Sequence, residues 1–125
     1  MLDPTGSSSS YVEYGEGFGP GAADMKRGWS EYLGDGPDAH GPLVSALLAS
    51  SMEGVAPAFI LTAEYDPLRD EGEEYARKLV QTGNIVQIRR YLGTIHGFFT
   101  MQGMLQVARE ALHDAAAFLR RSLVD

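Results

Sequence analysis

The chain has 125 residues, of which 44% are hydrophobic and 22% are charged, as is typical of one globular domain or part of one. The formal net charge of -7 argues against nucleic-acid binding, and the absence of cysteine excludes disulfides, thiolate metal sites and a cysteine nucleophile. No signal-like N-terminus is present and no stretch approaches about 18 apolar residues, so we expect a cytoplasmic protein without a membrane span.

The first third of the chain is rich in turn-forming residues. Residues 1–24 combine glycine, proline and serine with aromatic anchors, which predicts an ordered loop lying on a larger body. Apolar residues at intervals of four predict a short helix over 23–33, with Asp24 as its cap. A turn at 34–38 and a short apolar run at 43–48 are expected to follow.

A nearly continuous apolar run at 57–65 is typical of a strand buried on both faces of a parallel sheet. The helix after it is predicted from a capping-box spacing between Asp70 and Glu73, and Gly83 is placed to end it. Its apolar stripe consists of Tyr75, Ala76, Leu79 and Val80.

Alternating residues at 85–91 predict a second, more exposed strand at the edge of the sheet. A long helix is expected over 101–122, with a stripe of Met104, Ala108, Ala111, Ala115, Phe118 and Leu119. The strand–helix–strand order predicts a βαβ unit. Because two parallel strands with two helices are not expected to hide both sheet faces, and a two-stranded sheet is only marginally stable alone, the chain is interpreted as an incomplete α/β domain.

Each of the two predicted strands is followed by a polar residue that could take part in catalysis. Asp66 follows the first strand and His96 follows the second, both in strand-to-helix loops. Adjacent parallel strands lie about 4.8 Å apart, so these loops can bring the two side chains together. A carboxylate bound to one imidazole nitrogen leaves the other free to take a proton from a serine hydroxyl. The order acid, then histidine, is the one that α/β-hydrolases use.

The run Asp-Pro-Leu-Arg-Asp-Glu-Gly at 66–72, followed by His-Gly-Phe at 96–98, resembles the hormone-sensitive-lipase-like esterases, the α/β-hydrolase fold-3 group. The resemblance implies that Asp66 is the acid and His96 the base of a catalytic triad. It also implies hydrolysis of small to medium acyl esters with no cofactor and no metal.

The same resemblance implies a fold and a division of the chain. Residues 57–125 correspond to the C-terminal part of an α/β-hydrolase fold: two parallel strands, a crossover helix and a long C-terminal helix, an incomplete three-layer sandwich. Residues 1–56 correspond to a loop and cap-like segment. The side chains expected at the substrate are Trp29, Phe98, Phe99 and Met101, each of which has core packing as its alternative.

The nucleophile elbow Gly-x-Ser-x-Gly and the His-Gly-Gly-Gly run of that family are absent from this sequence. The closest stretch, 6–10, ends in serine, and no strand before it or helix after it is expected. We therefore expect the chain to be inactive alone.

Two alternatives remain open. Asp70 is a rival acid, although its spacing to Glu73 favours a helix cap, and His40 and His113 are interpreted as solvated. The chain is alternatively a non-enzymatic interaction module that uses the edge strand 85–91, and pairing through that strand into a homodimer is compatible with either interpretation.

Overall fold

The computed structural model describes residues 1–34, 41 and 43–123, so most of the turn expected at 34–38, and His40, lie outside the described residues. It contains the helices α1 (Ser9–Glu13), α2 (Ala22–Leu33), α3 (Arg69–Gln81) and α4 (Gln106–Ser122), and the strands β1 (Ala58–Tyr65) and β2 (Val86–Ile95). Short 3₁₀ helices cover Ala46–Leu48 and Phe98–Thr100. None of the helices in the described part of the chain is long and apolar enough to cross a membrane.

The two strands form a parallel pair connected by α3, as the sequence predicts. Their register runs from Ala58 opposite Val86 to Ala63 opposite Tyr91, and it then shifts so that Tyr65 lies opposite Ile95. Within the described residues, β1 has a strand partner on one edge only. The described residues therefore form the parallel two-stranded sheet that the strand–helix–strand order predicts.

Helices cover both faces of this sheet, which gives the three layers of an α/β sandwich. On one face, the ring of Phe59 stacks on Phe118 of α4 with centroids 5.7 Å apart. On the other face, the Thr62 hydroxyl donates to Glu73 of α3 at 3.1 Å. The two contacts fall on opposite faces because successive side chains of a strand point in opposite directions. The core cluster on the α4 side consists of Ala63, Tyr91, Phe98, Ala108 and Ala111.

The predicted capping box at the start of α3 is wrong. The helix begins at Arg69 after Leu68, which makes no side-chain cap, and the N–H of Asp70 donates to the hydroxyl of Ser10. Glu73 instead forms an ion pair with Arg90 of β2. The cap is thus provided by a residue distant in sequence, which a local pattern cannot show.

Two further expectations in the N-terminal third are wrong. A helix, α1, does begin within the serine run, although only five residues long. The helix α2 begins at Ala22 after Gly21, and Asp24 lies in its first turn, paired with Arg27, rather than at its cap.

Two boundaries in the C-terminal half also differ from the prediction. β2 continues to Ile95, four residues beyond the predicted end, and so reaches His96 directly. The last helix begins at Gln106 rather than at 101, since a 3₁₀ turn and a loop with Gly103 precede it. Met104 is consequently 84% exposed and is no part of the helix stripe.

The predicted apolar stripes of α3 and α4 each include a residue that the structure leaves exposed. Leu119 of α4 and Val80 of α3 are more than half exposed. Ala108, Ala111 and Phe118 of α4, and Ala76 and Leu79 of α3, are buried as the periodicity predicts.

Candidate active site

Asp66 and His96 lie next to each other at the carboxyl ends of β1 and β2. The Nδ1 atom of His96 is 3.0 Å from Oδ2 of Asp66. The Asp66 carboxylate is largely buried, whereas 40% of the His96 side chain is exposed. The two strand ends therefore bring together the two residues that the sequence selects.

The carboxylate of Asp66 is held at both of its oxygen atoms. Oδ1 accepts a hydrogen bond from the N–H of Leu68 at 2.8 Å, and Oδ2 faces the imidazole. The N–H of Arg69 donates to the Asp66 carbonyl at 3.1 Å and closes the turn into α3. With one oxygen occupied by its own turn, the carboxylate has one orientation in which to meet His96.

The second ring nitrogen of His96, Nε2, has no hydrogen-bond partner among the residues that the structure describes. A carboxylate at Nδ1 favours the tautomer that carries the proton there, which leaves a lone pair on Nε2. The arrangement can therefore accept a proton from a hydroxyl group at Nε2, and the carboxylate stabilises the imidazolium that results.

A cavity of about 310 Å³ lies beside the pair and is lined by both of its members. Phe98 and Phe99 line it as well, and Phe98 also packs against Tyr91 with ring centroids 5.3 Å apart. The other lining residues are Met1, Leu2, Leu61, Thr62, Ala63, Leu68, Arg69, Glu71, Gly72 and Gly97. The wall is thus mostly apolar next to the titratable pair, which suits an uncharged organic substrate.

The other two residues expected at the substrate lie outside this cavity. Trp29 is buried on α2, where its ring meets Tyr32 edge to face. Met101 is half-buried and ends the 3₁₀ helix after His96. His113 is exposed on α4, as expected.

The loop between α1 and α2 lies against His96. Three rings hold the loop in place: Tyr14 and Tyr65 meet edge to face at 5.7 Å, and Phe18 stacks on Tyr65 at 5.6 Å. Gly19, next to Phe18, approaches His96 so closely that an added Cβ would lie 2.7 Å from the histidine Cβ. Gly19 is one glycine among 15, and nothing in its sequence context marks it.

We expect the substitution Gly19→Ala to destabilise the chain more than Gly17→Ala does. Both glycines have positive φ, at 144° and 83°, so alanine introduces backbone strain of about 1–3 kcal/mol at either position. Only at Gly19 does the new methyl group also collide with His96, which adds about 1–3 kcal/mol. Urea unfolding of both variants measures the difference, and equal losses would show that the loop does not press on His96.

A network of polar side chains, which the sequence does not predict, supports the turn that follows Asp66. The fully buried Ser10 of α1 bonds Pro67 and Asp70, and Asp70 also pairs with Arg69 at 2.8 Å. Burial alone would raise the pKa of Asp70, but the bonds from Arg69 and Ser10 outweigh it and hold that pKa below its ordinary value. A serine inside a run of four gives no local signal of this role.

Glu71 is a second buried carboxylate near the pair. Its two oxygens accept the N–H groups of Leu2 and Asp3 at 2.8 and 3.0 Å. Burial raises the pKa of Glu71, and the two hydrogen bonds only partly oppose that effect. Glu71 thereby fastens the first residues of the chain to the wall of the cavity.

Comparison with known proteins finds esterases among the proteins that are similar to this chain. A family model described as an alpha/beta hydrolase fold matches residues 1–100. The carboxylic ester hydrolase LipN of Mycobacterium tuberculosis is 43% identical over 101 residues, which are 79% of this chain and 27% of that enzyme. The ethyl acetate hydrolase of Pseudomonas putida is 37% identical over 112 residues, which are 90% of this chain and 35% of that enzyme.

A solved structure gives the same result. EstE1, a thermostable carboxylesterase cloned from a metagenomic library, superimposes with a TM-score of 0.89 at 38% identity, over 94% of this chain and 40% of its own. The chain therefore spans about a quarter to two fifths of the length of these relatives. Its strand pairing, its flanking helices and the family match over most of its length lead to one assignment: the chain belongs to the α/β-hydrolase fold family, among the hormone-sensitive-lipase-like esterases.

Proposed function

We propose that this chain is the C-terminal portion of a serine carboxylic-ester hydrolase and supplies the acid and the base of its catalytic triad. The observation that carries the proposal is the contact of 3.0 Å between Nδ1 of His96 and the buried carboxylate of Asp66. A histidine oriented in this way at the carboxyl ends of two parallel strands is what serine activation requires.

In the proposed reaction, a serine outside this sequence attacks the ester carbonyl while His96 takes its proton at Nε2. The imidazolium is stabilised by Asp66 and then gives that proton to the departing alcohol. In the second half of the reaction, His96 takes a proton from water, the resulting hydroxide attacks the acyl-enzyme, and the proton returns to the serine. No metal or organic cofactor is required by these steps.

The cavity wall supports an uncharged acyl group as the part of the substrate bound here. Phe98 and Phe99 follow His96 after one glycine and line the cavity, so they are proposed to contact an acyl chain of small to medium length. Trp29 and Met101 remain proposed contacts that depend on a cap closing over the site. In this proposal, residues 1–56 form the loop and cap-like segment and 57–125 belong to the catalytic domain.

The test is a chimera in which this chain replaces the matching segment of EstE1. The isolated chain is expected to hydrolyse a nitrophenyl ester of a short acyl group no faster than background, since it has no nucleophile elbow and no oxyanion run. The chimera is expected to hydrolyse the ester at a measurable rate. A folded chimera without activity would count against the proposal, and so would turnover by the isolated chain that persists in His96→Ala.

A second candidate function, a dimerisation module, is favoured by the outer edge of β2. Leu92 of β2 is 71% exposed, and Ile85, the residue directly before β2, is 69% exposed. The charges that commonly protect an edge strand are engaged, because Arg89 pairs with Asp114 and Arg90 with Glu73. Sedimentation of the chain and of Leu92→Lys tests this candidate: a dimer that the substitution dissociates supports pairing through β2, and a chain that is monomeric without the substitution removes the dimerisation module.

A further inference from the structure

The turn that carries Asp66 is tied to α1 by the hydroxyl group of a single serine. Ser10 is fully buried, and its Oγ donates to the Pro67 carbonyl at 2.9 Å while it accepts the N–H of Asp70 at 3.1 Å. The N–H of Ser10 donates to the Asp70 carboxylate at 2.8 Å. One residue therefore makes three hydrogen bonds to a segment almost 60 positions away in the sequence.

These hydrogen bonds hold the peptide groups that set the position of Asp66. The Pro67 carbonyl belongs to the residue directly after Asp66, and the Asp70 N–H is one of the first groups of α3, which have no partner inside the helix. Pro67 is itself fully buried, so its carbonyl has no access to water as a substitute. The hydroxyl group of Ser10 thus fixes the turn on both sides of Leu68, whose N–H holds the Asp66 carboxylate.

A second contact fastens α1 to the same turn. The Arg69 guanidinium donates to the carbonyl of Glu64 at 3.1 Å and lies 3.7 Å from the carboxylate of Glu13. It also lies over the ring of Tyr14, 5.2 Å from the centroid. Both ends of α1 are therefore held to the segment between β1 and α3, so α1 is part of the support of that segment.

We propose that Ser10 is a positioning residue for the Asp66–His96 pair: its hydroxyl group fixes the turn in the geometry that keeps the carboxylate at Nδ1 of His96. The inference rests on the proposed function, in which this pair activates a serine. A purely structural role for Ser10 would stabilise the fold without changing the state of the imidazole in the folded chain.

The tautomer of His96 distinguishes these two roles without any need for turnover. We would record nitrogen-15 spectra of the full chain above the ordinary titration range of imidazole, and identify the signals of His96 by their loss in His96→Gln. The wild type is expected to carry the proton mainly on Nδ1. In Ser10→Ala, the ratio of the Nδ1-protonated to the Nε2-protonated form is expected to fall by about threefold or more.

The matched control is Thr82→Val, which removes a hydroxyl group that bonds carbonyls at the other end of α3. It is expected to leave the tautomer ratio unchanged although it also weakens the helix. Where Ser10→Ala does not fold, Asp70→Ala breaks the bond from the Ser10 N–H at a partly exposed carboxylate and should shift the ratio in the same direction.

The outcomes separate this inference from the proposed function. If Asp66→Asn changes the ratio and Ser10→Ala does not, the positioning role of Ser10 is refuted while the catalytic pair stands. If Asp66→Asn leaves the ratio unchanged, the pair does not orient the imidazole, and both the inference and the proposed function fail. If Thr82→Val changes the tautomer ratio as much as Ser10→Ala does, the change reflects a general loss of stability, and the positioning role of Ser10 is refuted.

Discussion

Replacing His96 with glutamine in the EstE1 chimera is expected to lower kcat by about 10⁴- to 10⁶-fold. Among the described residues, the imidazole is the side chain that contacts the Asp66 carboxylate and can act as a general base, and glutamine cannot do so. KM should change little because the proton moves only in the transition state. Steady-state kinetics with a nitrophenyl ester measure both quantities.

The control for this prediction is His113→Gln. His113 is exposed on α4, away from the cavity beside the pair, so the same chemical change there should leave kcat within about twofold. A His96→Gln chimera that keeps more than a tenth of the activity would remove the base from the proposed mechanism. Circular dichroism of both variants would show that they fold alike.

Replacing Asp66 with asparagine in the same chimera is expected to lower kcat by about 10⁴-fold. Asparagine retains the shape, and its carbonyl can still accept the N–H of Leu68 at 2.8 Å. Its amide group would then face Nδ1 as a donor, which favours the tautomer with the proton on Nε2. In that tautomer Nε2 of His96 already carries a proton, so it has no lone pair with which to accept the serine proton.

Asp70→Asn tests the rival acid against Asp66. The Asp70 carboxylate binds Ser10 and Arg69 and makes no contact with His96 among the described residues, so its neutralisation should reduce kcat by no more than about tenfold. If Asp70→Asn were the more damaging of the two substitutions, the assignment of the acid would have to be reversed. Both variants keep the side-chain volume, which makes their kinetics directly comparable.

The elements of the fold that depend on local pattern could be predicted from the sequence. The apolar run at 57–65 and the stripe of α3 lie where the periodicity places them, because burial of one strand and one helix face dominates both segments. The start of α4 could not be placed, since Phe98, Met101 and Leu105 are apolar at nearly helical spacing. The segment instead forms a 3₁₀ helix at Phe98–Thr100, followed by turns. The cap of α3 was missed because it comes from α1.

The candidate site shows the same division. Asp66 and His96 were recognisable because each belongs to a short run that resembles a family and each follows a strand. Ser10, Gly19 and Glu71 were not, since their contacts join segments far apart in the chain. A local pattern contains no information about such contacts, and only the packed structure brings them into view.

The attachment of α1 to the Asp66 turn has a consequence for the order of folding. The βαβ unit closes a short loop, whereas the bonds of Ser10 require a segment almost 60 residues earlier to return to the sheet, at a higher entropic cost. We therefore expect amide protection to appear in β1, β2 and the rest of α3 before it appears at the N–H groups of Ser10 and Asp70. The geometry of the Asp66–His96 pair is then expected to form in one of the last steps of refolding.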